Sequence, residues 1–251
     1  MTPPAPPAAS PTPTPASGVG QVAAVIFDLD GVLLDSEQVW DEVRQAFVAE
    51  RGGRWADDST ARMMGMSTAE WSGYLVELGA GDSAEEIAAE VRGRVAARYG
   101  DDPPLLPGAV AAVRAMAAHW PLGLASSSPR VLIDLVLDRS GLRREFRHTI
   151  SSEEVPRGKP APDVYLEAVR RLGVPAGAAV AVEDSANGLR AAAAAGIVVV
   201  AVPNEHFPPG PEALALASAQ VDRVADLTPE IVLAAAGRRP ALLRPAPPRP
   251  A

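Results

Sequence analysis

Asp28 and Asp30 stand two residues apart at the end of an apolar, β-branched run, 22–27. That length and composition predict a buried strand. In extended backbone, residues i and i+2 share a side, so both carboxylates face one way and Leu29 the other. Gly31 follows, where the chain can turn without a Cβ. Two carboxylates at the mouth of a buried strand are costly unless a cation or a shared proton compensates. A lone pair of this kind is more simply a strand end whose acids cap a turn, but three further groups accompany it. Ser126-Ser127-Ser128 close the apolar stretch 122–125, and Glu183-Asp184-Ser185 close the stretch 178–182. Between them lies Lys159, in a segment stiffened by Pro156, Pro160 and Pro162, which leaves it as a projecting cation. Oxygen-only ligands from Asp28, Asp30, Glu183 and Asp184 suit Mg²⁺ rather than zinc or copper. Phosphoryl transfer needs a nucleophile, charge neutralisation and a proton donor. Asp28 can attack phosphorus to form an aspartyl-phosphate. Asp30 can protonate the leaving oxygen and then activate water. Mg²⁺, Lys159 and the Ser126–Ser127 region can hold the phosphoryl oxygens.

The elements that must position these groups follow from periodicity. After the first strand and a turn at 32–36, residues 37–100 read as successive helices, with Val39, Val43, Phe47 and Val48 at helical spacing. Ser67–Glu70 and Ser83–Glu86 are capping boxes ahead of two further apolar-periodic segments. Three of the four tryptophans fall here, and they read as bundle core more readily than as a substrate box. From residue 107 the pattern alternates: helices at 107–119, 129–142, 163–172, 189–195, 214–219 and 229–236, strands at 122–125, 146–150, 178–182, 197–202 and 221–224. In the helix 129–142, Val131, Leu132, Leu135 and Val136 are expected on the buried face. Alternation of this kind predicts βαβ units. The expected fold is α/β, a Rossmann-like open parallel sheet core with an inserted α-helical cap domain. Ligands of such sheets bind beyond the carboxyl ends of the strands, where three of the four polar groups fall. The domain boundaries read as a disordered proline-rich tail at 1–20, a core at 21–36 and 104–236, a cap at 37–103, and a second proline-rich tail at 237–251.

Composition narrows the function. A net charge of −8 argues against a nucleic-acid binder. The absence of cysteine excludes disulfides, thiolate metal sites and thiol nucleophiles, and fits a cytoplasmic setting. The longest apolar run, 191–202, is too short to span a membrane, and the N-terminus lacks the pattern of a secretory signal. Lys159 is the single lysine among 23 basic residues. A lysine kept amid such arginine bias suggests a need for that side chain.

Asp28-Leu29-Asp30-Gly31, Ser126, Lys159-Pro160 and Glu183-Asp184-Ser185 occur in the order of the four motifs of the haloacid dehalogenase superfamily. The resemblance covers residues 22–236. A helical insertion after the first motif resembles the helical-cap subgroup, which includes phosphatases and β-phosphoglucomutase. The resemblance implies that Asp28 is the nucleophile and Asp30 the general acid/base, the latter also lending its backbone carbonyl to Mg²⁺. It implies that Ser126 and Lys159 bind phosphate and that Glu183 and Asp184 complete the metal site. Singly, each has a simpler reading: a helix cap, a surface charge, turn acids. Four in order outweigh these. The expected function is a Mg²⁺-dependent phosphatase acting on a small phosphorylated metabolite, with no nucleic-acid or membrane partner. Oligomeric state is left open, and a monomer is compatible with the pattern. A sugar-phosphate mutase is the alternative. Trp40 and Thr68 stand where the mutase has a histidine and a basic residue, although Arg54, Arg62, Arg92 or Arg94 offer places for a second phosphate. A dehalogenase needs neither Asp30 nor the Glu183-Asp184 pair. His119, His148 and His206 are assigned no role.

Overall fold

The computed structural model describes residues 22–63, 66–100, 103–204 and 208–238. The tail at 1–20, residues 239–251, Met64-Gly65, Asp101-Asp102 and His206 lie outside the described residues.

Six strands form one sheet in the order β3-β2-β1-β4-β5-β6, every described pair parallel. They are β1 (Ala24–Phe27), β2 (Leu122–Ser126), β3 (Phe146–Ser151), β4 (Ala179–Glu183), β5 (Val198–Ala201) and β6 (Ala219–Gln220). The inner strands are apolar up to the last residues of β2 and β4, Ser126 and Glu183, because both sheet faces are covered, as parallel sheets require. Val25, Phe27, Leu124, Val182 and Val200 pack on one face, and Ile26, Ala125, Ala181 and Val199 on the other. The chain builds outward from β1 to β2 and β3, then crosses back to β4. The strand order therefore reverses beside β1, which is where open sheets leave a crevice.

Five described helices lie between β1 and β2, and the first four form the insertion: α1 (Glu37–Glu50), α2 (Ser59–Met63), α3 (Thr68–Glu77) and α4 (Ala84–Tyr99). The Ser67–Glu70 capping box forms in full, and Ser83 Oγ accepts from the Glu86 N–H. Val43, Phe47, Trp71, Leu75, Val91 and Val95 are buried among these helices. The remaining helices are α5 (Ala109–Ala117), α6 (Arg130–Arg139), α7 (Asp163–Leu172), α8 (Ala186–Ala194), α9 (Pro211–Leu214) and α10 (Pro229–Gly237).

Three expectations shift. The buried face of α6 is Leu132, Ile133, Val136 and Leu137, and Val131 is 60% exposed. The helix expected at 214–219 starts earlier, with Pro211 in its first turn. The Ser218 N–H donates to the Val199 carbonyl, which draws Ala219–Gln220 into the sheet in place of the strand expected at 221–224.

Candidate active site

Asp28 comes directly after β1, and its N–H donates to the Val182 carbonyl at 3.0 Å. The Phe27–Val182 register places it beside Glu183, the last residue of β4. The chain then turns tightly, with the Leu33 and Leu34 N–H groups both donating to the Leu29 carbonyl. Gly31 makes this possible at φ +74°, and a Cβ there would lie 1.8 Å from Asp184 Oδ2. Only glycine serves both the backbone conformation and the close approach of the carboxylate.

Lys159 is not a projecting cation. Its side chain is 3% exposed, with Nζ 2.9 Å from Asp28 Oδ2 and 2.5 Å from Glu183 Oε1. Burial opposes the ammonium charge, but the carboxylates of Asp28 and Glu183 outweigh burial and hold its pKa above the ordinary value. Glu183 is wholly enclosed: Oε1 also accepts from the Tyr165 hydroxyl at 2.8 Å, and Oε2 accepts from the Asp184 and Ser185 N–H groups at 3.1 and 3.3 Å. Asp28 Oδ1 accepts from the Leu29 N–H at 2.7 Å.

Asp28, Glu183 and Asp184 are all buried and bring carboxylate oxygens within 4.8 Å of one another. One lysine cannot neutralise three carboxylates. Burial, with Glu183 and Asp30 beside it, pushes the Asp28 carboxyl well above its usual range despite Lys159. Burial, with Glu183, Asp28 and Glu37, does the same to Asp184. Hard oxygen donors with uncompensated negative charge fit Mg²⁺.

The Asp30 carboxylate points elsewhere. Its Oδ2 accepts from the Ser128 hydroxyl at 2.6 Å and, at 3.4 Å, from Ser126, while its buried Oδ1 has no hydrogen-bond partner. Ser126 is fully buried, and its Oγ also accepts from the Ser128 N–H at 2.9 Å. Ser127, Ser128, Asp28, Asp30, Lys159 and Asp184 line one cavity of about 140 Å³.

Its other wall comes from the inserted helices. Trp40, Met66, Thr68 and Trp71 all border it. None of the four arginines considered from the sequence does. Arg62 stacks on Tyr74 with 4.2 Å to the ring centroid, Arg92 pairs with Glu153, and Arg94 pairs with Glu50 and Glu90. The arginine in the wall is Arg44, joined by Glu37 and Asp41. Sequence reasoning passed over these three, although Glu37, Trp40, Asp41 and Arg44 recur at the three- and four-residue spacing of one helix face. Ser128 was placed at this sheet edge but given no role, and Gly188, where a Cβ would meet the Glu183 carboxylate, was missed. His119 and His148 do not line the cavity.

A family model for haloacid dehalogenase-like hydrolases matches residues 22–196. Hexitol phosphatase B of Escherichia coli (strain K12) is 33% identical over 219 residues, covering 85% of this chain and 97% of the relative. The crystal structure of CbbY from Rhodobacter sphaeroides in complex with phosphate superposes with a TM-score of 0.74 at 27% identity, covering 84% of this chain and 99% of that one. The likeness to β-phosphoglucomutase from Clostridium difficile is one of fold: TM-score 0.73 at 22% identity, covering 86% of this chain and 97% of that one. With the four motifs converging at the carboxyl edge of one parallel sheet, and the family match spanning most of that sheet, the chain belongs to the haloacid dehalogenase-like hydrolases.

Proposed function

We propose that the chain is a Mg²⁺-dependent phosphatase that hydrolyses a small phosphorylated metabolite through an aspartyl-phosphate at Asp28. The observation that carries this reading is the meeting of Asp28, Lys159 and Asp184 in one cavity. The phosphatase named among the relatives, matched over nearly its whole length, supports it. Asp28 and Asp184 present oxygens to the cavity, and Glu183 and the Asp30 carbonyl complete the set that would hold Mg²⁺. The ion would screen the phosphoryl oxygens from the carboxylates. Lys159 and the Ser126–Ser127 segment hold those oxygens, with Ser127 facing the cavity. Asp28 Oδ attacks phosphorus. Asp30 gives its proton to the leaving oxygen and afterwards takes one from the water that attacks the acyl phosphate. The hydroxyls of Ser126 and Ser128 orient Asp30 for both steps. The inserted helices, residues 37–103, act as a cap over the core at 21–36 and 104–236, excluding bulk water while Asp28 is phosphorylated.

Among the described residues no helix is long and apolar enough to cross a membrane. We read the enzyme as cytoplasmic, a setting supported by the absence of cysteine.

A screen of phosphorylated metabolites with Mg²⁺, scoring free phosphate against isomerised product, tests the reading. Release of phosphate is expected, and isomerisation without release would instead establish the mutase alternative. Asp28→Asn should lower turnover by about 10³-fold or more while leaving the far-ultraviolet circular dichroism unchanged. Wild-type rates in that variant would remove Asp28 as nucleophile.

A further inference from the structure

Behind the cavity, one buried side chain touches both Lys159 and Glu183. Tyr165 belongs to the buried face of α7, with Val164, Ala168 and Val169. It is fully buried and packs with Ile26, Ala125 and Ala181 on one face of the sheet. A phenylalanine ring would fill that space equally well. The hydroxyl is the part that needs a reason, because a buried hydroxyl is costly unless it is matched. It donates to Glu183 Oε1 at 2.8 Å, the same oxygen that accepts from Lys159 Nζ at 2.5 Å. Lys159 Nζ also lies 5.2 Å from the centroid of the Tyr165 ring, within reach of a cation–π attraction. Asp28 and Lys159 line the cavity, whereas Glu183 and Tyr165 do not.

An ammonium has three N–H donors. In Lys159 two of them serve Asp28 Oδ2 and Glu183 Oε1, at 2.9 and 2.5 Å, which leaves the third for a phosphoryl oxygen. The shorter contact is the one to Glu183, so this carboxylate competes with the nucleophile for the ammonium. The charge on Glu183 Oε2 is spread over the Asp184 N–H, the Ser185 N–H and the Ser185 hydroxyl. Oε1 would face Lys159 alone if Tyr165 did not donate to it. A charge-assisted hydrogen bond from the phenol takes up part of that charge and loosens the hold of Oε1 on Lys159. The ring beside the ammonium offers it no competing lone pair.

We infer that Tyr165 is a positioning residue for phosphoryl transfer: by sharing Glu183 Oε1 it keeps the Lys159 ammonium against Asp28 and aimed at the cavity. It acts through Glu183 and Lys159, since it does not itself reach the cavity. This rests on the phosphatase reading. The two fail differently: no phosphate release from any ester by the wild type defeats both, while a Tyr165→Phe enzyme as fast as the wild type defeats this one alone.

Tyr165→Phe removes the hydroxyl and keeps the ring. With p-nitrophenyl phosphate and saturating Mg²⁺, its kcat should fall about tenfold while KM changes by less than about threefold, because a displaced ammonium costs alignment more than binding. Its Kd for Mg²⁺, read by calorimetry, should stay within about threefold of the wild type. A readout independent of turnover comes from composition: Lys159 is the only lysine, so labelling lysine Nζ with ¹⁵N gives a single lysine ammonium resonance. That resonance should shift in Tyr165→Phe, and in the wild type it should cross-relax with tyrosine ring protons. The wild-type measurement keeps the test decisive if the variant fails to fold, and absence of that cross-relaxation would overturn the inference. So would a wild-type kcat in Tyr165→Phe, an ammonium resonance that does not move, or a loss of Mg²⁺ affinity as large as the loss of kcat.

Discussion

Lys159 is the residue on which the charge of the site depends. Its ammonium sits between Asp28 and Glu183, with almost no access to solvent. Removing one partner of a buried ion pair leaves the other charges uncompensated, at a cost of about 3–5 kcal/mol. Lys159→Met should therefore lower the urea midpoint markedly and abolish turnover together. Lys159→Arg keeps the charge but brings a wider planar group against Glu183, whose carboxylate is already enclosed by Tyr165 and Ser185. Its kcat should fall much more than its urea midpoint. Unchanged kinetics in Lys159→Arg would make the single lysine an accident of arginine-rich composition. The sequence marks Lys159 through its rarity and its prolines and assigns it to the site, but reads it as projecting, because nothing local records the carboxylates of Asp28 and Glu183 that bury it. Arg44 shows the converse: it belongs to no motif, and its place in the cavity wall is shared with Trp71, which stacks on it from a different helix.

At the scale of elements, α8 contains a residue that violates its own propensity. Gly188 lies in the helix next to β4, where alanine would ordinarily stabilise by about 1 kcal/mol. Here a Cβ would fall 1.8–2.0 Å from the Glu183 carboxylate atoms. Gly188→Ala should destabilise the protein and displace Glu183 from Lys159, with a loss of activity. Gly93, in α4, is exposed and has nothing within 4 Å of its would-be Cβ. Gly93→Ala should raise stability by roughly 0.5–1 kcal/mol. Paired thermal melts check both, and a stabilised Gly188→Ala would remove the steric argument. Most elements were legible in the sequence because their periods are strong, and β1 and α7 come close to their expected limits. The face of α6 was misread because Val131 and Ile133 are similarly apolar and only contact with the sheet chooses between them. Residues 211–224 were misread because an Ala- and Leu-rich stretch has no amphipathic period, so its helix start is set by Pro211 and its strand by the β5 edge.

The whole molecule holds more buried negative charge than its own cations balance, and its stability should depend on pH and Mg²⁺ accordingly. Asp28 and Asp184 have carboxyls raised well above the ordinary range, chiefly by burial, and Glu37 is pushed up to about 7 by burial and by Asp30 and Asp35. The folded chain thus binds more protons than the unfolded chain above the ordinary carboxylate pKa. Without metal, stability should fall as pH climbs from that value through the raised ones. Lys159 adds nothing to this window, since its shift takes effect only at strongly alkaline pH. A cation that binds the folded state alone stabilises by mass action, by about 2.7 kcal/mol at a hundred times its Kd. Because it requires deprotonated carboxylates, its contribution grows with pH. Thermal midpoints with chelator and with saturating Mg²⁺, at about pH 5.5 and about pH 8.5, should show a larger Mg²⁺ gain at the higher pH. Asp184→Asn removes both a proposed Mg²⁺ ligand and a like charge. It should melt above the wild type without metal at the higher pH, and Mg²⁺ should scarcely move it. An equal Mg²⁺ gain in Asp184→Asn would place the ion elsewhere, and a metal-free midpoint that rises with pH would show that the three acids are not the dominant buried charge.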